Sequence, residues 1–141
     1  MKRFCVCLAL LACAACSGGS SSGSSTSPST PPLAPTSETF TGTVPVGGND
    51  VHAFIVNLSN GQVTADLTAA GPPATIAMGL GLGTISSGVC SLFQNGSIVT
   101  PPGPTAQIGG NNFTTGTYCV AVFDVGNQLA DVSYSVTVTH Y

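Results

Sequence analysis

From residue 36 onward, apolar side chains recur at every second position. Tyr134, Val136 and Val138 alternate with Ser133, Ser135, Thr137 and Thr139. That period suits a strand with one dry and one wet face, and gives a helix no apolar stripe. Phe40, Gly42 and Val44 alternate with Thr41 and Thr43; His52, Phe54 and Val56 share a face, as do Val63, Ala65 and Leu67 opposite Gln62, Thr64 and Asp66. Tyr118, Val120 and Val122 form one face of a further strand, with Cys119, Ala121 and Phe123 on the other. Thr75 to Leu82 is a longer apolar run, and Gly79, Gly81 and Gly83 alternate with larger residues around its end. Weaker strands are expected near Cys90–Gln94 and Thr105–Ile108.

Asn60-Gly61, between two of these runs, predicts a hairpin turn because both residues tolerate positive φ. Pro72-Pro73, Pro101-Pro102 and Pro104 belong at edges or in loops, since proline interrupts strand pairing. The whole reads as an all-β domain over residues 36–141, a jelly-roll-like antiparallel β-sandwich of about seven or eight short strands. Phe54, Val56, Val63, Leu67, Tyr118, Val120, Val122, Tyr134, Val136 and Val138 are the predicted core. A one-residue register slip would invert all of them.

The segment ahead of this domain is of another kind. A basic start, Met1-Lys2-Arg3, leads into an uncharged apolar run from Phe4 to Ala15, and Cys16 then opens a Ser/Gly/Thr/Pro tract reaching Pro35. Residues 1–15 resemble a bacterial lipoprotein signal, and residues 16–35 have the composition of a flexible tether. Cys16 is the expected lipidated residue, because the tether begins directly after it. Cys13, preceded by Leu10-Leu11-Ala12, is the alternative. An ordinary signal peptide cut after Ala15 would instead leave a secreted protein. The apolar run is too short for the ~20 residues that span a bilayer. The expected location is the bacterial cell envelope, with a membrane as partner through the lipid.

Charge narrows the partners. Lys2 and Arg3 are the chain's only basic residues besides two histidines, so residues 36–141 keep Glu38, Asp50, Asp66, Asp124 and Asp131 with no Lys or Arg. Phosphate backbones are bound through Lys and Arg, which excludes nucleic acid, and anionic headgroups are disfavoured likewise. The strand edges also lack the lysines that usually guard against edge-to-edge association.

Cys90 and Cys119 are the two cysteines of the domain. In an exported protein they are expected to form a disulfide, with Cα atoms about 5–6 Å apart. Closing a loop of about 30 residues contributes roughly 3–4 kcal/mol in the chain-entropy model. Since Cys119 lies opposite Tyr118 and Val120, the bridge belongs off the main core, tying the segment Gly88–Phe93 to that strand.

Catalytic chemistry finds little support. Gly79-Leu-Gly-Leu-Gly lacks both GxGxxG spacing and a lysine for phosphate. His52 and His140 sit on or beside alternating strands, and no Gly-x-Ser-x-Gly elbow accompanies them. The acids are too scattered for a glycosidase pair. Asp124, Asn127 and Asp131, with Asp50 as a further contributor, are weak calcium candidates; Asx residues beside Gly126 suit a plain turn as well. No cofactor is expected. The expected binding partner is a protein or a glycan, the glycan by analogy of fold only. Sugar binding is expected to need at least two exposed coplanar aromatics, and with no Trp in the chain this falls to Phe93, Phe113, Phe123 and Tyr141. Asn57-Leu-Ser59, Asn95-Gly-Ser97 and Asn112-Phe-Thr114 match glycosylation acceptors, a pattern common by chance in a chain with a bacterial signal.

Phe40-Thr-Gly-Thr-Val, Asp50 to Val56 and Gly61-Gln-Val-Thr-Ala-Asp-Leu resemble the opening of the bacterial pre-peptidase C-terminal domain. Gly116-Thr-Tyr-Cys-Val-Ala-Val-Phe-Asp and Val132-Ser-Tyr-Ser-Val-Thr-Val resemble its close. The resemblance covers most of residues 38–139 and implies a non-catalytic β-sandwich of the sort appended to secreted hydrolases. No catalytic domain is expected in front of it, because residues 1–35 read as signal and tether. The chain also resembles small bacterial lipoproteins that share this domain. The expectation is therefore a non-enzymatic, envelope-anchored binding or structural module, with a carbohydrate-binding protein or, less so, a small secreted hydrolase as alternatives.

Overall fold

The computed structural model describes residues 33–141. The expected signal, the lipidation candidates Cys13 and Cys16, and most of the expected tether lie outside the described residues. Eight strands follow one another: β1 (Thr36–Val44), β2 (Asn49–Val56), β3 (Gly61–Gly71), β4 (Met78–Ser86), β5 (Val89–Thr100), β6 (Ile108–Phe113), β7 (Gly116–Phe123) and β8 (Val132–His140). Among the described residues there is no helix. Two four-stranded sheets form, ordered β1-β8-β3-β6 and β2-β7-β4-β5, and every pairing is antiparallel. That is the strand order of a jelly roll. Only β4 and β5 follow each other within one sheet; every other connection crosses the sandwich.

All ten predicted core residues are buried between the sheets, joined by Val44, Ala65, Met78, Leu80, Leu82 and Val132. β8 shows the cause most plainly: Val132, Tyr134, Val136 and Val138 are buried, and each alternates with a more accessible Ser or Thr. On the outer face of the β1-β8-β3-β6 sheet these hydroxyls pair across strands, Ser37 with Thr139 at 2.8 Å and Thr39 with Thr137 at 3.0 Å. The prolines lie in the loops after β3 and β5, as expected.

Two expectations are corrected. Asn60 has φ 61°, so the turn chemistry is present, but β2 and β3 belong to different sheets and the turn makes a corner, not a hairpin. The true hairpin joins β4 to β5 at Ser87-Gly88, with φ 51° and 79°. The weak strand expected at Thr105–Ile108 lies further on, at Ile108–Phe113, because Gln107 instead holds the preceding loop to the backbone of Leu67.

The outer face of the second sheet departs from the simple alternation. β7 and β4 are buried on both faces. Gly79, Gly81 and Gly83 point outward, and neighbouring groups lie down on them. A Cβ on Gly79 would meet the Phe123 ring at 2.1 Å, one on Gly81 the Leu92 side chain at 2.8 Å, and one on Gly83 the Ser91 carbonyl oxygen at 2.2 Å. The glycine run seats the side chains of Phe123 and Leu92 and, at Gly83, the backbone of β5 itself.

Candidate functional site

The two long sides of the sandwich, where edge strands face each other, are closed by different chemistry. On the β1/β2 side the polar groups meet. Tyr134 donates its hydroxyl to Asp50 Oδ2 at 2.9 Å, and His52 Nε2 lies 2.7 Å from the same hydroxyl. With the phenol proton committed to the carboxylate, His52 donates from Nε2. The His52 ring stacks on Phe40 at 4.8 Å between centroids. Gly42 makes room beneath, because a Cβ there would meet Asp50 Oδ2 at 2.1 Å. Burial, reinforced by the hydrogen bond and charge of Asp50, pushes the Tyr134 phenol well above its ordinary value. It stays a hydroxyl, and the cluster clamps sheet to sheet.

The second histidine is held in the same manner. His140, 2% exposed, places Nε2 2.7 Å from Glu38 Oε1 and its ring beside Phe54. Among the described residues neither histidine hydrogen-bonds a serine; each is bound into a cluster with a carboxylate.

The calcium candidates are employed elsewhere. Asp124 Oδ2 accepts from Gly47 N at 2.7 Å, and Oδ1 accepts from Gly126 N at 2.8 Å, with Asn127 N and Gln128 N at 3.2 and 3.4 Å. These backbone donors, Gly47 first, hold the Asp124 carboxyl below its ordinary range against a smaller opposing effect of burial. Asn127 Nδ2 donates to the Ala77 carbonyl, Asp131 is exposed, and Asp50 belongs to the Tyr134 cluster. Among the described residues these oxygens do not converge. Asp124 organises the turn, which is the Asx role.

Cys90 and Cys119 are disulfide-bonded with a Cα separation of 5.9 Å. As expected, the bridge lies outside the core between the sheets. It borders a shallow cleft of about 410 Å³ also lined by Val51, Leu92 and Phe123.

The opposite side, where β5 faces β6, is aromatic and amide-rich. Both edge strands bulge there. Gly81 pairs with Ser97 and Gly83 with Leu92, so Phe93, Gln94, Asn95 and Gly96 make an excursion opposite Leu82, with Asn95 at φ 60°. On β6, Gly61 pairs with Phe113 and Val63 with Gly110, leaving Asn111 and Asn112 opposite Gln62, with Asn112 at φ 64°. Bulges at sheet edges re-aim side chains. Here they bring Phe93 and Phe113 together edge to face, 5.9 Å apart at 72°, over Tyr118, whose ring is 5.0 Å from that of Phe113. Tyr118 donates its hydroxyl to the Thr114 carbonyl at 3.0 Å, fixing the floor. The cleft so formed has a volume of about 340 Å³; Thr84, Asn111, Asn112 and Thr114 complete its wall. A second hollow of about 200 Å³ shares Phe93 and Phe113 and adds Gln94 and Asn95. No ionisable group except the Tyr118 phenol lines either one.

The sequence named Phe93 and Phe113 separately but did not join them. Asn95-Gly96 within a strand and the pair Asn111-Asn112 were the available signals of bulges. The flat aromatic platform is not formed: Phe93 and Phe113 are nearly perpendicular, Phe123 lies on Gly79, and Tyr141 is half-buried. No protein-family model matches the chain, and no curated protein matches it.

Proposed function

We propose that the chain is a non-catalytic module of the bacterial cell envelope, anchored by lipid on Cys16 and acting by binding through its jelly-roll domain. The observation that carries the non-catalytic reading is the employment of the polar groups. His140 is bound to Glu38, His52 to the Tyr134 hydroxyl, Tyr134 to Asp50, and Asp124 to four backbone N–H groups. A general base must lie within hydrogen-bond reach of a reacting group, and here the Nε2 of each histidine and the carboxylates of Glu38, Asp50 and Asp124 are engaged inside the clamps and turns. The resemblance to the pre-peptidase C-terminal domain supports the same reading. The basic start, apolar run and cysteine before a Ser/Gly tether support the anchor, and the tether gives the domain reach from a bilayer.

The test is fractionation of intact envelopes. Cys16→Ser should release the protein to the soluble fraction, and a block of lipoprotein processing should accumulate precursor. Release by Cys13→Ser but not Cys16→Ser would move the lipid to Cys13. If neither substitution changes the distribution, the anchored reading fails. Turnover of any ester, glycoside or peptide substrate that is lost in His52→Ala would overturn the non-catalytic one.

A further inference from the structure

We infer that the β5/β6 cleft is a binding site for a neutral saccharide, seated against Phe93 and held by the amides of Asn111, Asn112 and Asn95. This rests on the binding-module reading and gives it a site and a ligand class.

Four observations carry it. The first is apolar surface: Phe93 is 38% exposed in a domain whose other large aromatics are at least half-buried, and Phe113 and Tyr118 back it. A ring exposed at the mouth of a cleft offers its face to the C–H side of a sugar ring. The second is the rim. Asn and Gln each carry a donor pair and an acceptor side by side, which match the adjacent hydroxyls of a pyranose. Asn111 and Asn112 border the larger hollow, with Gln94 and Asn95 at the smaller.

The third is charge. The cleft has no Lys, Arg, Asp, Glu or His in its lining. An anionic ligand would find no counter-charge in a domain whose ionised side chains are all acidic, and a cationic one would find no carboxylate in the cleft. The fourth is backbone geometry. A neutral peptide binds an open sheet edge by adding a strand, which needs an unbroken row of donors and acceptors. Both edges are interrupted at the cleft, β5 by the Phe93–Gly96 excursion and β6 at Asn111-Asn112. What remains suited is a compact, uncharged, hydroxyl-rich ligand. The perpendicular Phe93 and Phe113 make a corner, so the site takes a chain end or one to two sugar units and not a crystalline polysaccharide surface. A volume of about 340 Å³ is of that scale.

The test titrates the folded protein with cello-, chito- and malto-oligosaccharides, following backbone amide resonances. Saturable binding of at least one of the three is expected, with shifts confined to Phe93–Gly96, Asn111–Thr114 and Tyr118. Phe93→Ala and Asn111→Ala should each weaken that binding about tenfold or more while leaving the unfolding midpoint close to that of the parent. Asn111 is exposed, so its variant decides the matter if Phe93→Ala fails to fold. Silence toward all three sugars, shifts elsewhere on the domain, or binding indifferent to Asn111→Ala would overturn the assignment. Lipid anchoring is read separately by fractionation, so a failed titration with intact anchoring removes the sugar site and leaves the module.

Discussion

Cys90 and Cys119 are bonded across an intervening strand. The sheet runs β7-β4-β5, so β4 lies between the two cysteines, and next-nearest strands are roughly 9–10 Å apart at ordinary spacing. Their Cα atoms are nevertheless 5.9 Å apart. The start of β5 curls over the outer face of β4, and Gly83, with no side chain, is where it passes: Cys119 and Leu92 both register with Gly83.

Gly83→Ala should therefore impair the disulfide itself. Its Cβ would fall 2.2 Å from the Ser91 carbonyl oxygen, a backbone atom that moves only if β5 lifts. Thiol labelling of protein from an oxidising compartment should find Cys90 and Cys119 partly free in this variant and bonded in the parent. Equal protection in both would refute the crossing.

Removing the bond directly gives the stability measure. For a sequence separation of 29 residues, Cys90→Ala with Cys119→Ala should cost roughly 3–4 kcal/mol in chemical denaturation. The double variant should match the reduced parent, apart from the packing lost with the two sulfurs.

Gly79 and Phe123 should be coupled. Gly79→Ala drives a Cβ into the Phe123 ring, and overpacking of this kind costs roughly 1–3 kcal/mol. In Phe123→Ala the obstacle is gone, so adding Gly79→Ala to that background should cost much less. A double-mutant cycle measures the difference; additive effects would show that the ring does not rest on the glycine.

Val120→Ala should cost roughly 1–3 kcal/mol, because Val120 is buried between the sheets and its methyl groups leave a gap. Thr137→Ala, which removes a partly exposed hydroxyl bonded to Thr39, should cost under about 1 kcal/mol. The opposite ranking in urea would contradict the assigned faces.

Two aspartates should shape the acid limb of stability in opposite senses. The Asp124 carboxyl is depressed below its ordinary value of 3.8, so its contribution is present above that pH and lost as pH falls through the folded value. Burial raises the Asp66 carboxyl above 3.8; folding then favours its protonated form, and stability declines as pH rises through that range. Asp124→Asn should destabilise near neutral pH and matter least in strong acid. Asp66→Asn should stabilise near neutral pH and converge on the parent in acid. Thermal unfolding across the acid range checks both, and parallel curves for parent and variant would contradict either assignment.

How much of this was legible in the sequence differs by feature. The alternation of Tyr134, Val136 and Val138 with hydroxyl residues determined the buried face of β8, because side chains on a strand have period two whatever the strand pairs with. Likewise Asn60 announced a positive φ and Cys119 an off-core bridge, both local properties of the chain. Which sheet each strand joins was not local. Asn60-Gly61 and Ser87-Gly88 both permit a sharp turn, yet one turns a corner between sheets and the other closes a hairpin, and only the packing of Val56 and Val63 on opposite layers distinguishes them.

The β5/β6 cleft was beyond sequence for the same reason. Phe93 and Phe113 lie far apart in the chain, and an aromatic at an alternating position reads as core until a bulge turns it. The bulges are decided by register against β4 and β3, which is set by long-range pairing. Composition alone did determine that no Lys or Arg would line any surface of the domain. Only the tertiary fold decided that its histidines and most of its carboxylates would be consumed in clamps and turns, leaving an uncharged aromatic corner open to solvent.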